Sequence, residues 1–108
     1  METDGFEGWT KVLGRLAAGA DLTSAESRGA LAEVLAGGAT SAQLAAFIVA
    51  LRLKGETAEE ITGLVEAMVA VAAPLRLPAG AIDIVGTGGS PTLRDRAFNV
   101  STVASIVA

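Results

Sequence analysis

A chain of 108 residues holds one ordinary domain, or a small domain with a piece of another, and the change of texture along this chain favours the second. With no cysteine and no histidine, disulfides, thiolate nucleophiles, imidazole bases and the usual zinc ligands are excluded together. A formal charge of −4 and a pI near 4.6 exclude a broad electrostatic footprint for nucleic acid or anionic lipid, so any anion site must be local.

Mean hydropathy is +0.52, but alanine supplies much of it and the aromatics are one Trp and three Phe, which predicts a helical core with closely packed helices. Met1 to Gly5 carries Glu2 and Asp4 and no basic region, unlike a secretory signal. The longest uncharged run, Val34 to Leu51, is interrupted by Gly37, Gly38, Thr40, Ser41 and Gln43 and makes a poor membrane span. These features predict a soluble cytoplasmic protein with neither nucleic acid nor membrane as a partner.

In chain order, Phe6, Trp9, Val12, Leu13 and Leu16 recur at helical spacing up to Gly19 and predict a first helix. Phe6 and Trp9 read as core or subunit-interface anchors. Thr23-Ser24-Ala25-Glu26 has the capping-box pattern, in which the hydroxyl and the carboxylate three residues on satisfy each other's orphaned backbone donors. A second helix then carries Ala30, Leu31, Val34 and Leu35 and stops at Gly37-Gly38.

The grammar repeats. Thr40-Ser41-Ala42-Gln43 opens a third helix with Leu44, Phe47, Ile48 and Leu51 on one stripe, and Gly55 follows the cations Arg52 and Lys54 expected beside helix C-terminal carbonyls. Lys54 has a second reading, in which it faces a ligand loop across a domain cleft. Thr57-Ala58-Glu59-Glu60 opens a fourth helix with Ile61, Leu64, Val65, Met68 and Val69. Short connections favour antiparallel neighbours, so residues 1–73 are expected to form a four-helix-type bundle, a candidate dimerisation domain.

Pro74, Pro78 and Ala79-Gly80 mark a hinge over 74–80. Ala81 to Val85 reads as a short buried strand that stops at Gly86-Thr87-Gly88-Gly89-Ser90, and from about Asn99 the chain reads as helix to Ala108. Strand, glycine turn and helix are the opening of an α/β unit over 81–108, which makes the fold class α+β overall. The chain ends apolar, without Gly, Pro or a polar cap, and the expectation is a fragment of a longer protein.

Two segments offer chemistry. The glycine run serves equally as a plain βα turn or as a loop whose backbone N–H groups approach an anion without a Cβ in the way; it matches neither a G-x-G-x-x-G fingerprint nor a Walker A loop. Asn99-Val100-Ser101-Thr102 supplies preferred N-cap residues, and the N–H groups that need capping are the ones that bind anions. Arg94 and Arg96 between them are candidate anion clamps or solvated loop charges.

Taken together, Asp83-Ile84-Val85-Gly86-Thr87-Gly88-Gly89, Phe98-Asn99-Val100-Ser101-Thr102 and Ala50-Leu51-Arg52-Leu53-Lys54-Gly55-Glu56-Thr57 resemble the motifs of the anthranilate phosphoribosyltransferases, in the same order and at similar distances. The resemblance runs from about Leu13 to Ala108. It implies an enzyme, a glycosyltransferase that moves the phosphoribosyl group of phosphoribosyl pyrophosphate to the amine of anthranilate in tryptophan biosynthesis, with magnesium and as a homodimer through the helical domain. It places Gly86 at the meeting point of phosphoribosyl pyrophosphate and anthranilate, with Gly88, Gly89 and Ser90 around the pyrophosphate. Asn99, Val100, Ser101 and Thr102 fall on phosphate oxygens, Ser101 also on magnesium. No catalytic residue is assigned with certainty.

The chain departs from the family pattern where Ser90 replaces an Asp, Ala97 replaces a Thr, and the intervening loop is a few residues longer; Arg94 or Arg96 is the candidate to compensate. The family's acidic magnesium pair and its anthranilate-side Asn and Arg belong beyond Ala108. The alternatives are a pyrimidine nucleoside phosphorylase-like enzyme and a non-catalytic binding or dimerisation relative.

Overall fold

The computed structural model of the chain describes residues 5–84 and 100–107. The chain divides into two compact units, residues 1–73 and 74–108. The first contains α1 (Trp9–Ala17), α2 (Ser24–Leu35), α3 (Ser41–Lys54) and α4 (Ala58–Val71), and the second contains α5 (Val100–Val107).

Local chemistry sets the helix ends. Thr23, Thr40 and Thr57 stand at the N-caps of α2, α3 and α4, each in extended backbone, and each completes a capping box with Glu26, Gln43 and Glu60 respectively. A side-chain oxygen at such a position stabilises a helix by about 1 kcal/mol. Gly37 and Gly55 follow α2 and α3 at φ 83° and 89°, where a Cβ would be strained, so the chain turns there at little cost.

In the first unit α1 packs on α3 and α2 on α4, so each helix takes as its main partner the one after next. The short connections suggested antiparallel packing of successive helices. That expectation yields to side-chain size, because the two pairs differ in what they bury.

The α1/α3 pair is built on large side chains: Trp9, Val12, Leu16, Phe47 and Leu51 are buried together with Leu22 and Ala30. Trp9 lies edge-on between Phe6 and Phe47, with ring centroids 5.2 and 5.7 Å apart, a geometry favoured by the ring quadrupoles. Its Nε1 is buried with no hydrogen-bond partner among the described residues.

The α2/α4 pair is built on small ones. Ser27, Gly29, Ala30 and Ala32 are buried on α2, and Gly63 and Ala67 on α4. A methyl on Gly63 would run into the Ser24 carbonyl and the Ser27 hydroxyl of α2. This close crossing corrects the expected core stripe of the fourth helix: Ile61, Val65, Met68 and Val69 are 44–67% exposed, and Leu35 of the second helix is 44% exposed. Helices that approach this closely meet through their smallest residues, and the bulky stripe is left to one side.

In the second unit, Gly80 at φ 86° and the hydrogen bond from Ala81 N to Pro78 O (3.1 Å) form the expected turn. No strand occurs among the described residues. The expected strand from Ala81 to Val85 is absent over 81–84, and Val85 lies outside the described residues. A strand requires ladder hydrogen bonds to a neighbour, and apolar sequence alone does not provide them. Among the described residues no helix is long and apolar enough to cross a membrane.

Candidate functional site

The segment Lys54-Gly55-Glu56-Thr57 leads from the end of α3 to the start of α4, and its lysine is directed inward. Lys54 ends α3 with its side chain 5% exposed and donates to Asp21 Oδ1 (2.8 Å), Gly55 O (2.8 Å) and Glu60 Oε2 (2.9 Å). An ammonium has three N–H donors, so all are engaged. Within the first unit Lys54 thus acts as a structural cation, and the glycine run of its second reading lies outside the described residues.

Glu60 is the other half of this knot and is fully buried. Its Oε1 accepts from Leu22 N (2.8 Å), and its Oε2 accepts from Thr57 N (2.8 Å) as well as from Lys54. Thr57 Oγ1 in turn accepts from Glu60 N (3.1 Å), completing the cap of α4. One carboxylate thus ties the α1–α2 connection, the end of α3 and the start of α4 together.

Burial on its own would raise the Glu60 carboxyl above its ordinary value, but the Leu22 N–H, the Lys54 ammonium and the Thr57 N–H together outweigh it and hold the group below that value. Lys54 is raised, chiefly by its hydrogen bond to Asp21 and then by Glu60, against an opposing desolvation. Both directions favour the charged pair. Asp21 and Glu60 were not among the candidate site residues; Glu60 was legible as a capping residue, but nothing near it in sequence announced its bond to Leu22.

The first turn of α5 carries Val100, Ser101 and Thr102. The helix begins at Val100, one residue after the expected Asn99, and the N-terminus of a helix is its electropositive end. Gly86, Gly88, Gly89, Ser90 and Asn99 lie outside the described residues, as do Arg94, Arg96 and Ala97. Asp83, at the edge of that segment, is exposed. Among the described residues no group of three or more acidic side chains is placed to hold a metal ion.

The family model of the glycosyl transferase family, helical bundle domain, matches residues 10–72. The chain belongs to this glycosyl transferase family. The matched range takes in α1 to α4 almost to their ends, so the glycosyl transferase bundle domain coincides with the helices described above. The Lys54–Glu60–Asp21 knot lies inside it.

Among curated proteins, the chain is similar to the anthranilate phosphoribosyltransferase of Nocardioides sp., 50% identical over 100 residues that make up 93% of this chain and 28% of the relative. It is 51% identical over 100 residues to that of Acidothermus cellulolyticus, covering 93% of the chain and 27% of the relative. With that of Saccharopolyspora erythraea it shares 48% identity over 99 residues, or 92% of the chain and 27% of the relative. The chain therefore spans little more than a quarter of the length of these curated relatives.

Proposed function

We propose that this chain is the N-terminal part of an anthranilate phosphoribosyltransferase, which joins the phosphoribosyl group of phosphoribosyl pyrophosphate to the amine of anthranilate and releases pyrophosphate. The observation that carries the reading is the 50% identity to the Nocardioides relative over 100 of 108 residues. Fewer than ten residues fall outside that match, so it must take in the glycine run and the start of α5 as well as the bundle.

In this reading Gly86, Gly88, Gly89 and Ser90 form the pyrophosphate loop, and Asn99, Val100, Ser101 and Thr102 meet phosphate oxygens at the electropositive end of α5. The chemistry suits a chain without His or Cys. A transition state with oxocarbenium character needs its amine nucleophile oriented and its departing pyrophosphate stabilised by fixed N–H dipoles, and neither task requires an imidazole or a thiolate. Magnesium belongs to the proposal through Ser101 and the pyrophosphate oxygens.

The proposal extends to a homodimer through the helical unit. What supports it is α3, which is apolar on nearly all sides yet leaves Ile48, Val49 and Leu53 exposed by 57, 54 and 83%. A helix of that kind is ordinarily covered on more than one face.

A chimera tests the reading. This chain replaces the matched segment of the Nocardioides enzyme, and the loss of anthranilate fluorescence is followed with and without phosphoribosyl pyrophosphate. Turnover that depends on phosphoribosyl pyrophosphate is expected, and it is expected to fall at least tenfold with Gly86→Val. A folded chimera that leaves anthranilate unchanged would overturn the assignment.

A further inference from the structure

The fourth helix carries two stripes, one residue apart. Glu60, Gly63 and Ala67 are buried, Gly63 directly against Ser24 and Ser27 of α2. Ile61, Leu64 and Met68 each follow one of these by a single position, and they line an apolar groove of about 290 Å³ bordered by α2 and α3. Ile61 and Met68 are 44 and 50% exposed, and Leu64 packs on the edge of the core.

Successive residues of an α-helix stand about 100° apart, so turning α4 about its own axis by that angle exchanges the two stripes. Burial of apolar area favours the exchange, because Ile, Leu and Met offer far more of it than Gly and Ala. A somewhat wider spacing from α2 would accommodate them, since the distance between packed helices follows the side chains at the contact. Apolar burial on its own therefore selects the wrong stripe.

What the exchanged packing cannot keep is Glu60. Its bond from Thr57 N travels with the helix, but its partners Leu22 N and Lys54 Nζ belong to other elements and would be left behind. Lys54, with its side chain 5% exposed, would lose a buried counter-charge, and Leu22 N would lose its acceptor. Separating a buried ion pair is strongly destabilising, whereas replacing both members together by apolar side chains of similar size is often neutral.

We infer that the Lys54–Glu60 ion pair is a register lock, which selects between two packings of α4 one residue apart and holds the small stripe inward and the bulky stripe outward. The close α2/α4 crossing at Gly63 is the packing that the lock selects. Ile61 and Met68 stay at the surface against their own apolarity for the same reason.

The chain contains no cysteine, so single thiol reporters can be placed cleanly, Ala67→Cys on the small stripe and Met68→Cys on the bulky one. With the lock intact, iodoacetamide is expected to alkylate Met68→Cys at least tenfold faster than Ala67→Cys, whose position is 1% exposed. With Lys54→Met and Glu60→Met introduced together the order is expected to reverse, while circular dichroism and a cooperative urea transition show the chain folded. A second background, Lys54→Met with Glu60→Gln, covers the case in which the first does not fold. It keeps a local cap on α4 of the kind that Gln43 provides for α3, and the same reversal is expected.

A folded double variant in which Met68→Cys remains the faster thiol overturns the lock, because the small stripe then holds its side by shape alone. Equal rates at the two positions in a folded variant overturn it too, since the ion pair would then be a tether for α4 and not a selector. Failure of both backgrounds to fold has the same force: a chain with no second packing to adopt has nothing to be locked out of.

Discussion

Adding a single methyl group at Gly63 sets two effects of opposite sign against each other. In an exposed helix interior Gly→Ala stabilises by about 1 kcal/mol, because alanine loses less backbone entropy on folding. At Gly63 the new Cβ would meet the Ser24 carbonyl oxygen and the Ser27 hydroxyl, and would come within 2.9 Å of Arg28 N. Two of these three atoms are backbone in the first turns of α2, which is itself held by the Thr23 capping box, so they cannot move aside as the end of a flexible side chain would. Overpacking of this kind costs about 1–3 kcal/mol, and more where backbone must shift. The net expectation for Gly63→Ala is destabilisation by about 1–2 kcal/mol, or a fall in Tm of roughly 5–15 °C for a unit of this size.

Gly14→Ala is the internal control. Gly14 lies on the exposed face of α1 with nothing within 4 Å of its would-be Cβ, so the entropic gain stands alone and Tm is expected to rise by a few degrees. Thermal melts followed by circular dichroism at the helix minimum read both variants. If Gly63→Ala melts at or above the parent temperature, α2 and α4 do not cross as closely as described, and the account of why bulky residues are displaced from that interface fails with it.

Other outcomes are accessible to simple measurements. Glu60 has a folded-state pKa below its ordinary value of 4.5, so its contribution is complete above that pH and is lost as pH falls through the depressed value. Lys54 is raised above 10.5, so its contribution is complete below that pH and is lost as pH rises through the elevated value. Urea midpoints across pH are therefore expected to show no change due to this pair between 4.5 and 10.5, with an acid limb that Glu60→Gln flattens; an acid limb of unchanged steepness in that variant would assign it to other carboxylates. Thr40→Ala removes the hydroxyl that accepts from Gln43 N and is expected to cost about 0.5–2 kcal/mol in chemical denaturation, without a change in m. Finally, the chain by itself, at 27–28% of the length of its relatives, is expected to form no phosphoribosylanthranilate from anthranilate and phosphoribosyl pyrophosphate. Detectable product from the purified chain would contradict this.

Three helix starts were legible because a capping box is closed within four residues. Thr23 with Glu26, Thr40 with Gln43 and Thr57 with Glu60 each satisfy their own donors, so no distant part of the chain has to be known to place them. Gly37 and Gly55 ended two helices for an equally local reason. The family was legible too, through three separated motifs read in order. What sequence could not supply was the set of partners of Lys54, which donates to Asp21, Gly55 and Glu60 within the first unit.

What sequence alone could not determine was which residues face which. The apolar periodicity of the fourth helix marked Ile61, Leu64, Val65, Met68 and Val69 as its apolar face; the fold packs Leu64 against the core, leaves the other four exposed and buries Glu60, Gly63 and Ala67. Periodicity reports that a helix has a bulky apolar face; it does not report how near another helix comes, and at the α2/α4 crossing only small side chains fit. Glu60 shows the same division in a single residue. Its bond to Thr57 lies three positions away and was readable as a helix cap, whereas its bond to Leu22 spans 38 positions and exists only because the chain folds back on itself. The nearer bond follows from backbone geometry within one helical turn, and the farther one makes Glu60 a buried hub that only tertiary packing could create.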